Sequence, residues 1–173
     1  MKAYHQTNEK NIPSIMERGL LINQDNCMTE GGYWSFDYYG CRPLFVSFDR
    51  EFIYPEDYIG ESEDDKLVSL EVDITGMELL PDLPSLIDEG GIIDSHNHVI
   101  WWKEGEEPES LLGYINDDGE INIHDLLIPN SEVGMAVMSL TKTAIIKENI
   151  TVDKIKVVEP IIHKLRMTNK FVI

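Results

Sequence analysis

The sequence predicts an α+β domain with a strand-rich core of antiparallel sheets and a few short helices. Three observations carry that expectation. A single clear amphipathic helical stretch follows a short extended segment near the start. Most of the other apolar runs are about four to eight residues long and are bounded by Gly, Pro or Asp, as strands are. With 173 residues, 42% hydrophobic and 27% charged, the chain has the length and composition of one folded domain and is too short for a (β/α)8 barrel.

Residues 2–6 alternate weakly and run into the polar pair Thr7-Asn8, which predicts a strand ending at a helix start. Ile12, Ile15, Met16 and Leu20 then recur at helical spacing, with Pro13 in the first turn and Gly19 where a helix C-terminus belongs. Leu20 to Ile22 leave the helix as an extended piece. A polar and aromatic loop follows through Gly31, Gly32, Tyr33, Trp34, Tyr38, Tyr39 and Gly40.

Leu44 to Phe48 reads as a buried strand between Pro43 and Asp49. Residues 67–74 alternate Leu67, Ser69, Glu71 and Asp73 against Val68, Leu70, Val72 and Ile74, a strand with one wetter face. Pro81 and Pro84 punctuate the chain before a helical turn over 85–89. A strand is expected over His98 to Trp102. Asp117-Asp118-Gly119 reads as a turn flanked by strands at Tyr114-Ile115 and Ile121 to Ile123. Residues 132–140 are apolar and rich in Met, and periodicity leaves their type open. Residues 143–146 and 155–158 read as strands around a turn at 151–154. One domain is expected over residues 1–160, with a C-terminal extension over 161–173.

Charge narrows the function. The chain has 32 Asp and Glu against 14 Lys and Arg, a net −18 at neutral pH. Such a surface repels phosphate backbones, so a general nucleic-acid binder is disfavoured. The basic residues gather only thinly, at Lys164, Arg166 and Lys170. The acids concentrate in Asp49, Glu51, Glu56, Asp57, Glu61, Glu63, Asp64 and Asp65, which reads as a solvated loop or as a surface for a basic partner. Cys27 and Cys41 are too few for a disulfide framework, and no stretch has the roughly 18 apolar residues of a membrane span. The expectation is a soluble, cytoplasmic protein with no membrane partner.

Two strings of residues suggest chemistry. In the first, Tyr4-His5-Gln6-Thr7 precedes the helix that ends Arg18-Gly19-Leu20, Phe45-Val46-Ser47 closes a strand, and Thr143 to Ile146 with Ile150 to Ile155 form a late strand, turn and strand. These pieces, in this order, resemble the ADP-ribosyltransferase superfamily of diphtheria-toxin-like and DNA-modifying transferases. The resemblance covers about a quarter of the chain. It implies an ADP-ribosyltransferase-like fold and NAD as substrate, with no metal. Cleavage between nicotinamide and ribose develops an oxocarbenium-like centre, so the site must orient the ribose and stabilise positive charge.

By the same resemblance, His5 binds a ribose hydroxyl, Thr7 with Gln6 fixes the adenosine side and Ser47 lines the nicotinamide pocket. Apart from the resemblance, the aromatics Tyr33, Trp34, Tyr38 and Tyr39 read either as a lid that stacks on a base or as core and loop packing. Arg18, Arg42 and Lys142 are the cations available to the phosphates. A Glu is implied at the start of the late strand, where this chain has Thr143. Glu132, and after it Glu148, are the nearby carboxylates that could serve instead. Taken alone, His5 reads equally as a strand histidine bonded to backbone, and Ser47 as a small residue at a crowded strand end. The function implied is transfer of ADP-ribose to a protein or small-molecule acceptor, or hydrolysis of NAD. The alternative is a non-catalytic acidic protein of the anti-defence or DNA-mimic type that blocks a basic partner.

The second string is Gly90-Gly91-Ile92-Ile93-Asp94-Ser95-His96-Asn97-His98. Two histidines at i and i+2 of an extended segment share a side and can chelate a metal, and the string resembles the metal-binding start of amidohydrolases. That motif opens a barrel, for which the remaining chain is too short. Asp94 and Ser95 are therefore expected to start a turn, and no metal is expected.

Overall fold

The computed structural model describes residues 1–23, 37–51, 67–101, 105 and 107–158. Tyr33, Trp34, Cys27, the acids from Glu56 to Asp65 and the 161–173 extension lie outside the described residues. The described part is α+β with two antiparallel sheets and short helices.

The elements are β1 (Lys2–Asn8), α1 (Ile12–Arg18), β2 (Leu44–Ser47), β3 (Leu67–Asp73), β4 (Leu79–Leu80), α2 (Leu83–Asp88), β5 (Gly91–Ile93) and β6 (His98–Trp101). They continue with β7 (Ile121–Asn122), α3 (Ile123–Leu126), α4 (Glu132–Thr141), β8 (Thr143–Ile146) and β9 (Ile155–Val157). Short 3-10 helices cover Glu9–Asn11, Glu109–Tyr114 and Val152–Lys154. The larger sheet has the order β4-β8-β2-β1-β3-β9, and the smaller one β5-β6-β7.

β1 lies at the centre of the large sheet. Its ladder with β3 runs from Lys2 opposite Asp73 to Asn8 opposite Leu67, whereas its ladder with β2 consists of the single pair Tyr4 and Ser47. Successive side chains alternate between faces, and opposite residues share a face. Ala3, Leu44, Val46, Leu70, Val72, Ala144 and Ile146 therefore line one face. There they form a core with Leu20, Ile150 and Ile155, on which Ile12 and Ile15 of α1 pack.

Ile145 and Phe45 lie on the other face. They belong to a second core with Leu80, Leu83, Leu86, Val99, Ile121, Leu126 and Val137, which joins the small sheet, α2, α3 and α4 to the large one. Each core residue of this kind is worth about 2–5 kcal/mol against truncation to Ala.

The local chemistry sets the element ends. α1 starts with Pro13 in its first turn and stops at Gly19, whose φ of +85° is open to glycine and whose N–H donates to the Ile15 carbonyl at 2.8 Å. Asp82 caps α2 through Ser85, and Ser131 caps α4 through the Gly134 N–H. Residues 132–141 thus form a helix. The segment at Tyr114 is a 3-10 helix rather than a strand: β7 pairs with β6, so Tyr114 and Ile115 have no ladder to join. Met16, expected on the apolar stripe of α1, is exposed, and Leu20 beyond the helix end takes the buried place.

Candidate functional site

His5 and Thr7 are two residues apart on β1 and so share a face. The imidazole Nδ1 of His5 lies 2.8 Å from the Phe45 carbonyl oxygen of β2, just beyond the single β1–β2 pair. A carbonyl only accepts, so Nδ1 carries the proton and Nε2 of the neutral ring is an acceptor. Desolvation lowers the His5 pKa below its ordinary value, against the smaller raising effect of that backbone bond, and favours the neutral form. The Thr7 hydroxyl accepts from Asn11 Nδ2 at 3.2 Å, which leaves its own proton available to donate.

Ser47 and Thr143 lie elsewhere. Tyr4 is opposite Ser47, and Ser47 is opposite Thr143, so all three share the face that His5 turns away from. Ser47 is 2% exposed, and its hydroxyl is held among backbone groups, at 2.9 Å from the Asp49 carbonyl, 3.2 Å from that of Lys142 and 3.0 Å from the Asp49 N–H. Thr143 is fully buried and donates to the Thr141 hydroxyl at 3.0 Å. The structure gives both residues work inside the fold and does not bring either to His5.

Glu132 is exposed in the first turn of α4, where a carboxylate complements the helix dipole. The ten residues of that helix put it about 15 Å from the start of β8. Glu148 is exposed in the segment between β8 and Ile150. Among the described residues, neither joins Thr143 and His5 in one constellation.

The remaining candidates are dispersed. Arg18 is exposed on α1 and donates to Ser14 one turn back. Arg42 is half-buried, and its backbone N–H donates to Asn23 Oδ1 at 2.9 Å. Lys142 ends α4 in a left-handed conformation, and its carbonyl accepts from Phe48. Gln6 is half-buried on β1, on the Tyr4 side.

Tyr38 packs against the second core, where desolvation raises its pKa, and Tyr39 is buried there with its hydroxyl donating to the Pro81 carbonyl at 2.8 Å. These two tyrosines act as packing residues on the face opposite His5.

The closest convergence of metal-ligating groups among the described residues is Asp94, His98 and Glu120, whose donor atoms all lie within 4.8 Å of one another. Asp94 starts the β5–β6 turn as expected, and its Oδ1 accepts the N–H groups of His96 and His98, each at 2.8 Å. The His98 N–H above all, with that of His96, holds the Asp94 carboxyl below the ordinary carboxylate range.

Asn97, with φ of +61°, completes this tight connection. His96 is thereby placed in the turn, 79% exposed, rather than on the strand, so the same-side argument from i and i+2 spacing fails for it. Glu120 takes its place. It stands 22 residues after His98 and reaches it only because β7 pairs with β6, a long-range relation that carries no local sequence signal.

Comparison of the chain with protein-family models, curated proteins and solved structures finds no match.

Proposed function

We propose that this chain is an ADP-ribosyltransferase-like protein that binds NAD, or a related adenosine nucleotide, through His5 and Thr7 of β1. The observation that carries the reading is the 2.8 Å approach of His5 Nδ1 to the Phe45 carbonyl oxygen, which assigns the tautomer. With Nδ1 donating to the Phe45 carbonyl, Nε2 is left as an acceptor, the role needed to take a hydrogen bond from a ribose hydroxyl. The Thr7 hydroxyl, on the same face, supplies a donor. Both stand where the β1–β2 ladder has ended and the two strands are tied by the imidazole.

In this reading the chemistry is departure of nicotinamide from an oxocarbenium-like ribose, with ADP-ribose passing to a protein or small-molecule acceptor or to water. The strongly negative chain makes a basic protein a better acceptor than a nucleic acid.

The engagement of Ser47 and Thr143 within the fold favours a second reading. The nucleotide site binds without transferring, and the acidic surface occupies a basic partner.

Calorimetric titration with NAD tests the proposal. Saturable binding by the wild type, lost in His5→Ala and weakened in Thr7→Val, is the expected result. Absence of heat with wild-type protein, or undiminished binding by a folded His5→Ala variant, overturns it. A transfer assay with labelled NAD then separates the two readings.

A further inference from the structure

We propose that Asp94, His98 and Glu120 form a binding site for one divalent transition-metal ion of the zinc or manganese type, at the turn end of the small sheet. Asp94 and His98 flank the one turn between β5 and β6, and Glu120, the residue preceding β7, joins them through the β6–β7 pairing. They converge on one nitrogen. Glu120 Oε2 is 2.9 Å from His98 Nδ1, and Asp94 Oδ2 is 3.9 Å from the same atom.

The convergence sets two carboxylates against one imidazole nitrogen. An imidazole nitrogen carries at most one proton, and Glu120 at 2.9 Å takes it. Asp94 Oδ2, 3.9 Å from that nitrogen and 3.5 Å from the Nδ1 of the exposed His96, is a second anionic oxygen at the same place. A divalent cation suits this set: it accepts one lone pair from the imidazole and one from each carboxylate, and two carboxylates balance its charge.

Ligands about 2.0–2.2 Å from an ion lie roughly 3–3.5 Å from one another, so the observed separations need only small side-chain adjustment. One imidazole with two carboxylates suits Zn²⁺, Mn²⁺ or Fe²⁺ better than the all-oxygen sites of Ca²⁺ and Mg²⁺.

The site is prepared and reachable. Asp94 is fixed by two backbone N–H groups on Oδ1, which leaves Oδ2 for the ion, an arrangement of the kind that orients metal ligands. The side chains are 20%, 28% and 25% exposed for Asp94, His98 and Glu120, so an ion and its waters can enter. His96, with Nδ1 3.5 Å from Asp94 Oδ2, stands beside the site on the turn. The site involves no residue of the proposed nucleotide site, and its test is separate from that reading.

The experiment is calorimetric titration of the full chain with ZnCl2 and MnCl2 against a large excess of Mg²⁺, which occupies unspecific acidic positions. One ion per chain is expected for the wild type. Affinity should be at least about tenfold weaker in His98→Gln and in Glu120→Gln, and unchanged in His124→Gln, an exposed histidine beyond the site. In wild-type protein the imidazole NMR signals of His98 should shift with added Zn²⁺ while those of His5 stay fixed. Absence of saturable binding, unshifted His98 signals, or wild-type affinity in the folded His98→Gln and Glu120→Gln variants overturns the proposal.

Discussion

Gly19 lies so close to the backbone of Ile150 that a β-carbon on it would stand 2.3 Å from the Ile150 carbonyl oxygen. That carbonyl accepts the Leu20 N–H at 2.9 Å and the Ile150 N–H donates back to Leu20 at 2.8 Å, a two-way bridge joining the exit of α1 to the segment between β8 and β9. With φ at +85°, Gly19 meets both requirements at once, a left-handed backbone and close approach. Gly19→Ala is therefore expected to destabilise the fold by about 1–3 kcal/mol or more, because the clash is with backbone. At about 2–4 °C per kcal/mol for a chain of this size, thermal unfolding reads the loss directly. An unchanged melting temperature contradicts the bridge.

Tyr39 makes a second cross-chain clasp. Its hydroxyl donates to the Pro81 carbonyl at 2.8 Å and accepts from the Leu83 N–H at 3.0 Å, holding the start of α2. Tyr39→Phe removes both and leaves a buried N–H, so a loss of about 1–3 kcal/mol is expected in denaturant unfolding, with hydrogen exchange at Leu83 accelerated.

His5 sets a pH dependence. Its folded-state pKa is depressed, so the folded protein resists a proton that the unfolded chain takes up near the ordinary value of 6.5. The stability tied to the neutral ring is present above that pH and is lost as pH falls below it through the folded-state value. His5→Asn keeps a donor for Phe45 but does not titrate. The wild type should lose more stability between pH 7.5 and 5 than this variant, and equal losses contradict the assignment.

Asp73 behaves in the same sense at lower pH. The Thr75 hydroxyl, 2.6 Å from Oδ1, and then the Thr75 N–H hold its pKa at about 2 against an ordinary 3.8. The contribution is present above pH 3.8 and lost as pH falls toward 2. NMR titration should show this midpoint in the wild type and a value nearer 3.8 in Thr75→Val.

Much of the fold was legible because local pattern suffices for it. The alternation of residues 67–73 marks β3, and Val68, Leu70 and Val72 are buried as that pattern requires. Gly19-Leu20 marks the end of α1 because the backbone there cannot accept a side chain. β4 and β5 escaped notice because two or three residues are too short to show a period. Glu132 to Leu140 could not be typed from its apolar run, and the Ser131 cap resolves it as helix.

The candidate sites divide along the same line. His5 and Thr7 share a face by simple alternation, which sequence shows. Whether Ser47 joins them depends on the β1–β2 register, and pairing with Tyr4 rather than His5 turns it to the other side. Glu120 was invisible beside His98 for the equivalent reason, since the β6–β7 pairing brings them together.

Nucleotide binding at β1 is read most directly from the imidazole resonance of His5 during titration of wild-type protein with NAD. A saturable shift of the His5 ring signals that follows the calorimetric binding curve is expected. An NAD titration that leaves the His5 signals unmoved contradicts binding there.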